Sequence, residues 1–153
     1  MGKKKNKLLV SVVVILLSIG FILFNTSIED IIAQDASTSG NAPMSSEIAD
    51  TEDNGVILIV YETTADNIGI AIIKHNQSPF NKYELLEITN VDNAYLSDIG
   101  WNSHYQHMGM DITYGVVMNP SDSVTSDLKS NYHTVSSTDY QNNVYILYIS
   151  QNV

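Results

Sequence analysis

Cysteine and arginine are absent from the 153-residue chain, which also has only three prolines, three phenylalanines and one tryptophan. Without cysteine there is no disulfide framework, no thiolate nucleophile and no thiolate metal ligand. An exported chain of this kind holds its fold by packing alone, a habit that suits envelopes of Gram-positive type, where oxidative folding is sparing. Without arginine, and with seven lysines against seventeen acids, there is no cationic cluster to neutralise phosphates, so nucleic acid is not an expected partner. From Gly55 onward three lysines face ten acids, a balance of −7. Such an acidic domain stays solvated beside an anionic surface and gathers cations loosely. Also missing are the Gly-x-Ser-x-Gly elbow of a serine hydrolase and any phosphate-cradling glycine loop.

The longest feature present is an apolar run. Residues 8–24 (LLVSVVVILLSIGFILF) form 17 positions without a charge, interrupted only by Ser11, Ser18 and Gly20, behind Lys3, Lys4, Lys5 and Lys7. A helix of that length rises about 26 Å, near the roughly 30 Å of a hydrocarbon layer, and Lys7 can snorkel. The lysines keep residues 1–7 cytoplasmic and send everything after Phe24 outside. A cleaved secretory signal is the competing reading, with release of the domain as its consequence. The nearest small-x-small site, after Ala33, has Ile31 three residues back and matches poorly. Lipidation is not indicated, since there is no cysteine and Gly2 lacks a Ser or Thr at position 6.

Residues 25–54 read as a flexible acidic stalk. TSIEDIIA (residues 26–33) has the Thr-x-x-Glu form of a capping box and extends the anchor by a short turn. Residues 35–54 combine Ser, Thr, Gly, Pro and acids with few large apolar groups, too little to offset ordering entropy. Residues 55–153 form the extracytoplasmic domain, and its pattern is mainly β. GVILIVYET (residues 55–63) and NIGIAIIKH (residues 67–75) are dense in β-branched residues and apolar on both faces, as central strands covered on either side would be. KYELLEITNV (residues 82–91) suits an edge strand or an irregular helix-like turn. DITYGVVM (residues 111–118) places Ile112, Tyr114, Val116 and Met118 on one face and precedes the turn Asn119-Pro120-Ser121-Asp122. Residues 123–129 read as a polar edge, residues 134–138 as a strand, and NVYILYIS (residues 143–150) as a strand with Tyr145 and Tyr148 in the core. The expected fold is a small antiparallel sheet or sandwich of about six or seven strands, preceded by one N-terminal transmembrane helix.

The GVILIVYET and NIGIAIIKH pair, the single Trp101, the ITYGVVMNPSDSV strand and turn, and the terminal VYILYIS strand behind a lysine-flanked anchor together resemble small envelope proteins of Gram-positive bacilli. The likeness covers most of residues 55–150. One departure is that Val124 leads into Thr125, Ser126 and Asp127 rather than into alternating valines. The resemblance implies a membrane-anchored β domain and carries no activity or catalytic residue with it.

Residues 103–111, SHYQHMGMD, hold the densest set of donor side chains. His104 and His107, with Met110 as a soft donor for copper or Asp111 as a hard donor for another divalent ion, would make a metal site if they converged. Residues i and i+3 share a face on a helix and point oppositely on a strand. Gly109 and the incoming ITYGVV strand favour a solvated loop leading into a strand. His75 and His133 read as surface or structural histidines, and Glu84 and Glu87 as a wetted pair. All nine tyrosines and Trp101 lie after Gly55. Tyr95, Trp101 and Tyr105, in the least regular stretch, are the candidate surface for a sugar ring or a protein partner, although Trp101 also suits a core plug. The function expected is a membrane-tethered interaction module of the cell envelope, without catalysis or cofactor, meeting an envelope protein or wall glycan. A metal-binding protein using His104, His107 and Met110 is the alternative. An envelope hydrolase has no motif behind it.

Overall fold

The computed structural model describes residues 11–15, 26–77, 82–97 and 100–152. In chain order the elements are α1 (Ile28–Ser39), β1 (Met44–Asp53), β2 (Val56–Thr63), β3 (Ile68–His75), β4 (Tyr83–Val91), a 3-10 turn (Asn93–Tyr95), β5 (Trp101–His107), β6 (Met110–Met118), α2 (Asp122–Asn131), β7 (Thr134–Tyr140) and β8 (Asn143–Asn152). Three hairpins close through two residues that both take positive φ: Asn54 and Gly55 (50° and 79°), Met108 and Gly109 (48° and 80°), and Gln141 and Asn142 (48° and 66°). That geometry matches the right-handed twist of the flanking strands.

The strands form two four-stranded antiparallel sheets, ordered β1-β2-β3-β4 and β5-β6-β8-β7. Their inner faces meet in one core, where Leu58, Val60, Ile70 and Ile72 of the first sheet pack with Ile112, Val116, Leu147 and Ile149 of the second. The opposite face of the first sheet is also covered. Ile32 of α1 is fully buried there among Ile57, Ile59, Tyr61, Ala71 and Ile73. β2 and β3 are therefore apolar on both faces because a sheet covers one side and a helix the other. On the outer side of the second sheet, Tyr132 at the end of α2 stacks on Tyr148 with ring centroids 4.4 Å apart.

The sequence expectations need correction at several places. Among the described residues there are eight strands, where about six or seven were expected. A flexible stalk over residues 25–54 does not describe residues 28–39 and 44–53, which form α1 and β1. The helix is closed by Ser27, whose hydroxyl accepts from the Asp30 amide at 3.2 Å while Asp30 accepts from the Ser27 amide at 3.0 Å. The capping box thus sits one residue later than Thr26, and Gly40 (φ 80°) ends the helix in the left-handed conformation. β1 gains its order from pairing with β2 from Met44↔Thr63 to Asp53↔Val56. Residues 123–129 are helical rather than a polar edge strand. Ser121 caps the first turn, and Asp122 and Lys129 suit the two ends of the helix dipole. The expected loop at residues 103–111 is the β5–β6 hairpin, with the chain reversing at Met108 and Gly109.

Of the apolar run at residues 8–24, residues 11–15 are described and helical, and the remainder lies outside the described residues. Among the described residues no helix is long and apolar enough to cross a membrane.

Candidate functional site

β4 and β5 are the edge strands on one side of the sandwich, and the chain between them builds a cavity. Asp92 accepts from the Ala94 amide at 2.9 Å and starts the 3-10 turn. Leu96 then drops into the core, completely buried, and its carbonyl accepts from the Met118 amide at 2.9 Å. This anchor leaves Tyr95 on the outside, 71% exposed. Gly100 (φ 73°) follows; a Cβ there would come within 2.5 Å of Val117 Cγ2, so only glycine fits without displacement. Trp101 opens β5, half-buried against the core, its ring meeting Tyr114 edge-on with centroids 5.6 Å apart.

The result is a cavity of about 400 Å³ lined by Thr89, Asn90, Val91, Asp92, Ala94, Tyr95, Ser97, Gly100 and Trp101. Asn90 Oδ1 is buried with no hydrogen-bond partner. The lining residues therefore combine two aromatic rings, hydroxyls and one carboxylate. Flat rings take the C–H face of a sugar or another apolar plate, and the polar groups fix its orientation.

Trp101 is held from behind by a bridge between the sheets. The Tyr114 hydroxyl donates to Glu87 Oε2 at 2.9 Å, and burial, reinforced by the Glu87 bond, raises the phenol well above its ordinary range. Burial likewise raises the Tyr61, Tyr145 and Tyr148 phenols. The opposite side of the sandwich is joined by a second polar cluster. There the Tyr140 hydroxyl donates to Glu62 Oε2 at 3.1 Å, as does Ser46 Oγ at 3.1 Å.

Tyr95 and Trp101, two of the three aromatic residues named from the sequence, both line this cavity. Tyr105 does not line it; it packs on the core farther along β5, with its ring 6.4 Å from His107. Asn90, Asp92 and Ser97 were not singled out from sequence. The only pointer to them was the irregular stretch that follows β4.

The donor set of residues 103–111 divides between two faces of the sheet. His104 lies on the outer face, its Nδ1 3.2 Å from Thr113 Oγ1 and its Nε2 3.4 Å from Asp111 Oδ1. His107 and Met110 pair opposite one another across the hairpin and, by strand alternation, point to the other face. Among the described residues no group of three or more His, Cys, Asp and Glu is placed to hold a metal ion. The order Thr113–His104–Asp111 is that of a nucleophile, base and acid. All three stand on the face of a regular sheet, however, and none lines the cavity. His75 is exposed beside Tyr83, with ring centroids 5.3 Å apart. His133 Nδ1 is 3.7 Å from Asp53 Oδ2, an oxygen that also accepts from the Gln151 amide at 2.9 Å.

In class, then, this is a two-sheet antiparallel sandwich with a helix covering the first sheet and a cavity at one open side. No family model, curated protein or solved structure was found to match the chain.

Proposed function

We propose that the chain is a membrane-tethered, extracytoplasmic binding module of the cell envelope, and that the cavity between Tyr95 and Trp101 receives a sugar ring of a wall glycan. The observation that carries this reading is the cavity itself: two aromatic residues, Tyr95 and Trp101, line one hollow of about 400 Å³ together with Thr89, Asp92 and Ser97. Rings supply a stacking platform, and the polar lining residues Thr89, Asp92 and Ser97 suit the hydroxyl and amide groups that a glycan carries in abundance. The tether rests on the lysine-flanked apolar run of residues 8–24 and on the resemblance to small envelope proteins of Gram-positive bacilli. No residue is given a catalytic role. Metal binding through His104, His107 and Met110 gains no support from side chains that point to opposite faces.

Trp101 is the only tryptophan, so its fluorescence reports the site directly. Soluble oligomers of N-acetylglucosamine, titrated into the full chain, should shift that emission saturably. Tyr95→Ala, at an exposed side chain, should weaken binding by about tenfold, the equivalent of one stacking contact of roughly 1.4 kcal/mol, without changing the melting temperature. An emission unmoved by millimolar oligomer would dismiss the glycan.

A further inference from the structure

Sheet edges are templates for further strands, and proteins blunt them with charge, proline or bulges. Three of the four edges here are treated in that way or covered. β1 carries Glu47, Asp50 and Glu52 and two register shifts. β4 carries Glu84 and Glu87 and pairs with β3 through a shift between Ile72 and Ile73. β7 lies beside β1, with Thr134 Oγ1 donating to Asp53 Oδ1 at 3.3 Å. β5 has none of these devices. Its seven residues contain no Asp, Glu, Lys or Pro, and its register with β6 runs unbroken from Trp101↔Val116 to His107↔Met110. Among the described residues nothing pairs with its outer edge.

β5 is also chemically symmetric about His104. Ser103 and Tyr105 are both hydroxyls, Asn102 and Gln106 both carboxamides, Trp101 and His107 both aromatic rings. We propose that a second copy of this chain docks here, the two β5 strands pairing antiparallel about a two-fold axis at His104. The second sheets of two molecules then form one continuous sheet. In that register each side chain faces its own kind: amide opposite amide, hydroxyl opposite hydroxyl, ring opposite ring. Self-complementarity of this sort is what an isologous interface requires. The occupant is a second copy rather than an arbitrary peptide because the symmetry lies in the strand itself, and because β5 is free of the negative charge that keeps the rest of this acidic domain apart.

The same register accounts for an exposed side chain. Met108, at the hairpin tip, is 87% exposed. Pairing about residue 104 brings the partner subunit's Met108 beside Gly100, at the mouth of the cavity where Tyr95 is also exposed. Each copy thereby supplies a soft apolar wall to the other's cavity. The pairing does not depend on which ligand that cavity takes.

The chain has no cysteine, so single substitutions report the register in the full chain in detergent. His104→Cys should cross-link to itself with a short bifunctional thiol reagent, since directly opposed Cβ atoms lie about 5 Å apart. Asn102→Cys alone should not, because its copies lie roughly 14 Å apart, four residues of strand at about 3.4 Å each. Asn102→Cys mixed with Gln106→Cys should cross-link. Asn102→Lys combined with Gln106→Lys opposes like charges twice and should raise the dissociation constant by more than about tenfold. Asn102→Lys combined with Gln106→Glu should restore the dimer. A monomeric native chain, equal cross-linking at 102 and 104, or a dimer indifferent to the lysine pair would each overturn the proposal.

Discussion

Tyr114 and Glu87 join the two sheets by a single hydrogen bond, the phenol donating to Oε2 at 2.9 Å. The Tyr114 ring also meets Trp101 edge-on, so the bond holds a neighbour of the cavity wall in place. Tyr114→Phe removes the donor and leaves Glu87, half-exposed, to find water. The expected cost is about 1–2 kcal/mol, or a fall in melting temperature of roughly 3–8 °C. Thermal unfolding followed by Trp101 emission measures it, and an unchanged midpoint would remove the bridge from the account of stability.

Alkaline pH should unfold the protein earlier than an acidic composition alone suggests. Tyr61, Tyr114 and Tyr148 all have phenols raised chiefly by burial. Their stabilising contribution is complete below the ordinary phenol pKa of about 10 and is lost above it, because the unfolded chain releases protons that the folded chain retains. Between pH 10 and 11 the loss is about 1 kcal/mol for each such tyrosine. Circular dichroism melts across that interval should show a steep fall, and Tyr61→Phe, which removes one of these phenols, should lessen that fall by about 1 kcal/mol. An unchanged pH dependence in the variant would contradict the role given to the buried phenol.

Residues 26–54 should prove integral to the fold. A chain beginning at Gly55 lacks α1 and β1, uncovers Ile57, Ile59 and Tyr61, and leaves β2 as a long apolar edge. It should aggregate or unfold without cooperativity, whereas a chain beginning at Thr26 should unfold as a unit. Ile32→Ala tests the helix alone. Truncating this fully buried side chain should cost about 2–5 kcal/mol, or roughly 8–20 °C.

Metal should have little effect. A site with three or four ligands would add about 2.7 kcal/mol at a hundredfold excess over its dissociation constant. His104 and Asp111 face one way and His107 and Met110 the other, so Zn²⁺ or Cu²⁺ should leave the melting temperature nearly unchanged. His104→Ala with His107→Ala should behave as the parent does. A large shift that this double variant abolishes would restore metal handling as the function.

Membrane topology has a direct test in a chain without cysteine. With Lys129→Cys, at an exposed position on α2, a membrane-impermeant maleimide should label intact cells. With Lys5→Cys it should label only after lysis. The reverse pattern, or recovery of the domain from the medium, would discard the tether.

Much of the β architecture is legible in the residues. The β-branched density of GVILIVYET and NIGIAIIKH on both faces marks central strands with two covers, and the structure supplies both, the second sheet and α1. Alternation in DITYGVVM likewise puts Ile112, Tyr114 and Val116 on one face, and in NVYILYIS separates Tyr145, Leu147 and Ile149 from Ile146 and Tyr148, because side chains alternate strictly along a strand. The packing of the two sheets makes the first-named set of each strand the inner one. The turn at residues 119–122 follows from Asn-Pro-Ser-Asp chemistry and stands where expected.

β1 could not be read in the same way. It buries only Ile48 and Ala49 as apolar residues, and its order comes from β2, from the Ser46–Glu62–Tyr140 cluster and from Asp53 reaching Thr134 and Gln151. The one local signal was Asn54-Gly55, the strongest short hairpin dipeptide. α2 resembles a polar strand in composition and is decided by its Ser121 cap.

What the sequence determined by itself is therefore periodicity and turn chemistry: which segments are apolar on one face, which on both, and where the chain reverses. Only the tertiary structure decided that Tyr95 and Trp101, six residues apart in sequence, stand on one cavity with Asn90 while Tyr105 does not. It also decided that the donors of residues 103–111 separate. The reason is that local patterns fix a side chain's face, whereas a site requires side chains from different elements to converge. That convergence is set here by Leu96 anchoring the β4–β5 connection in a core built from both sheets.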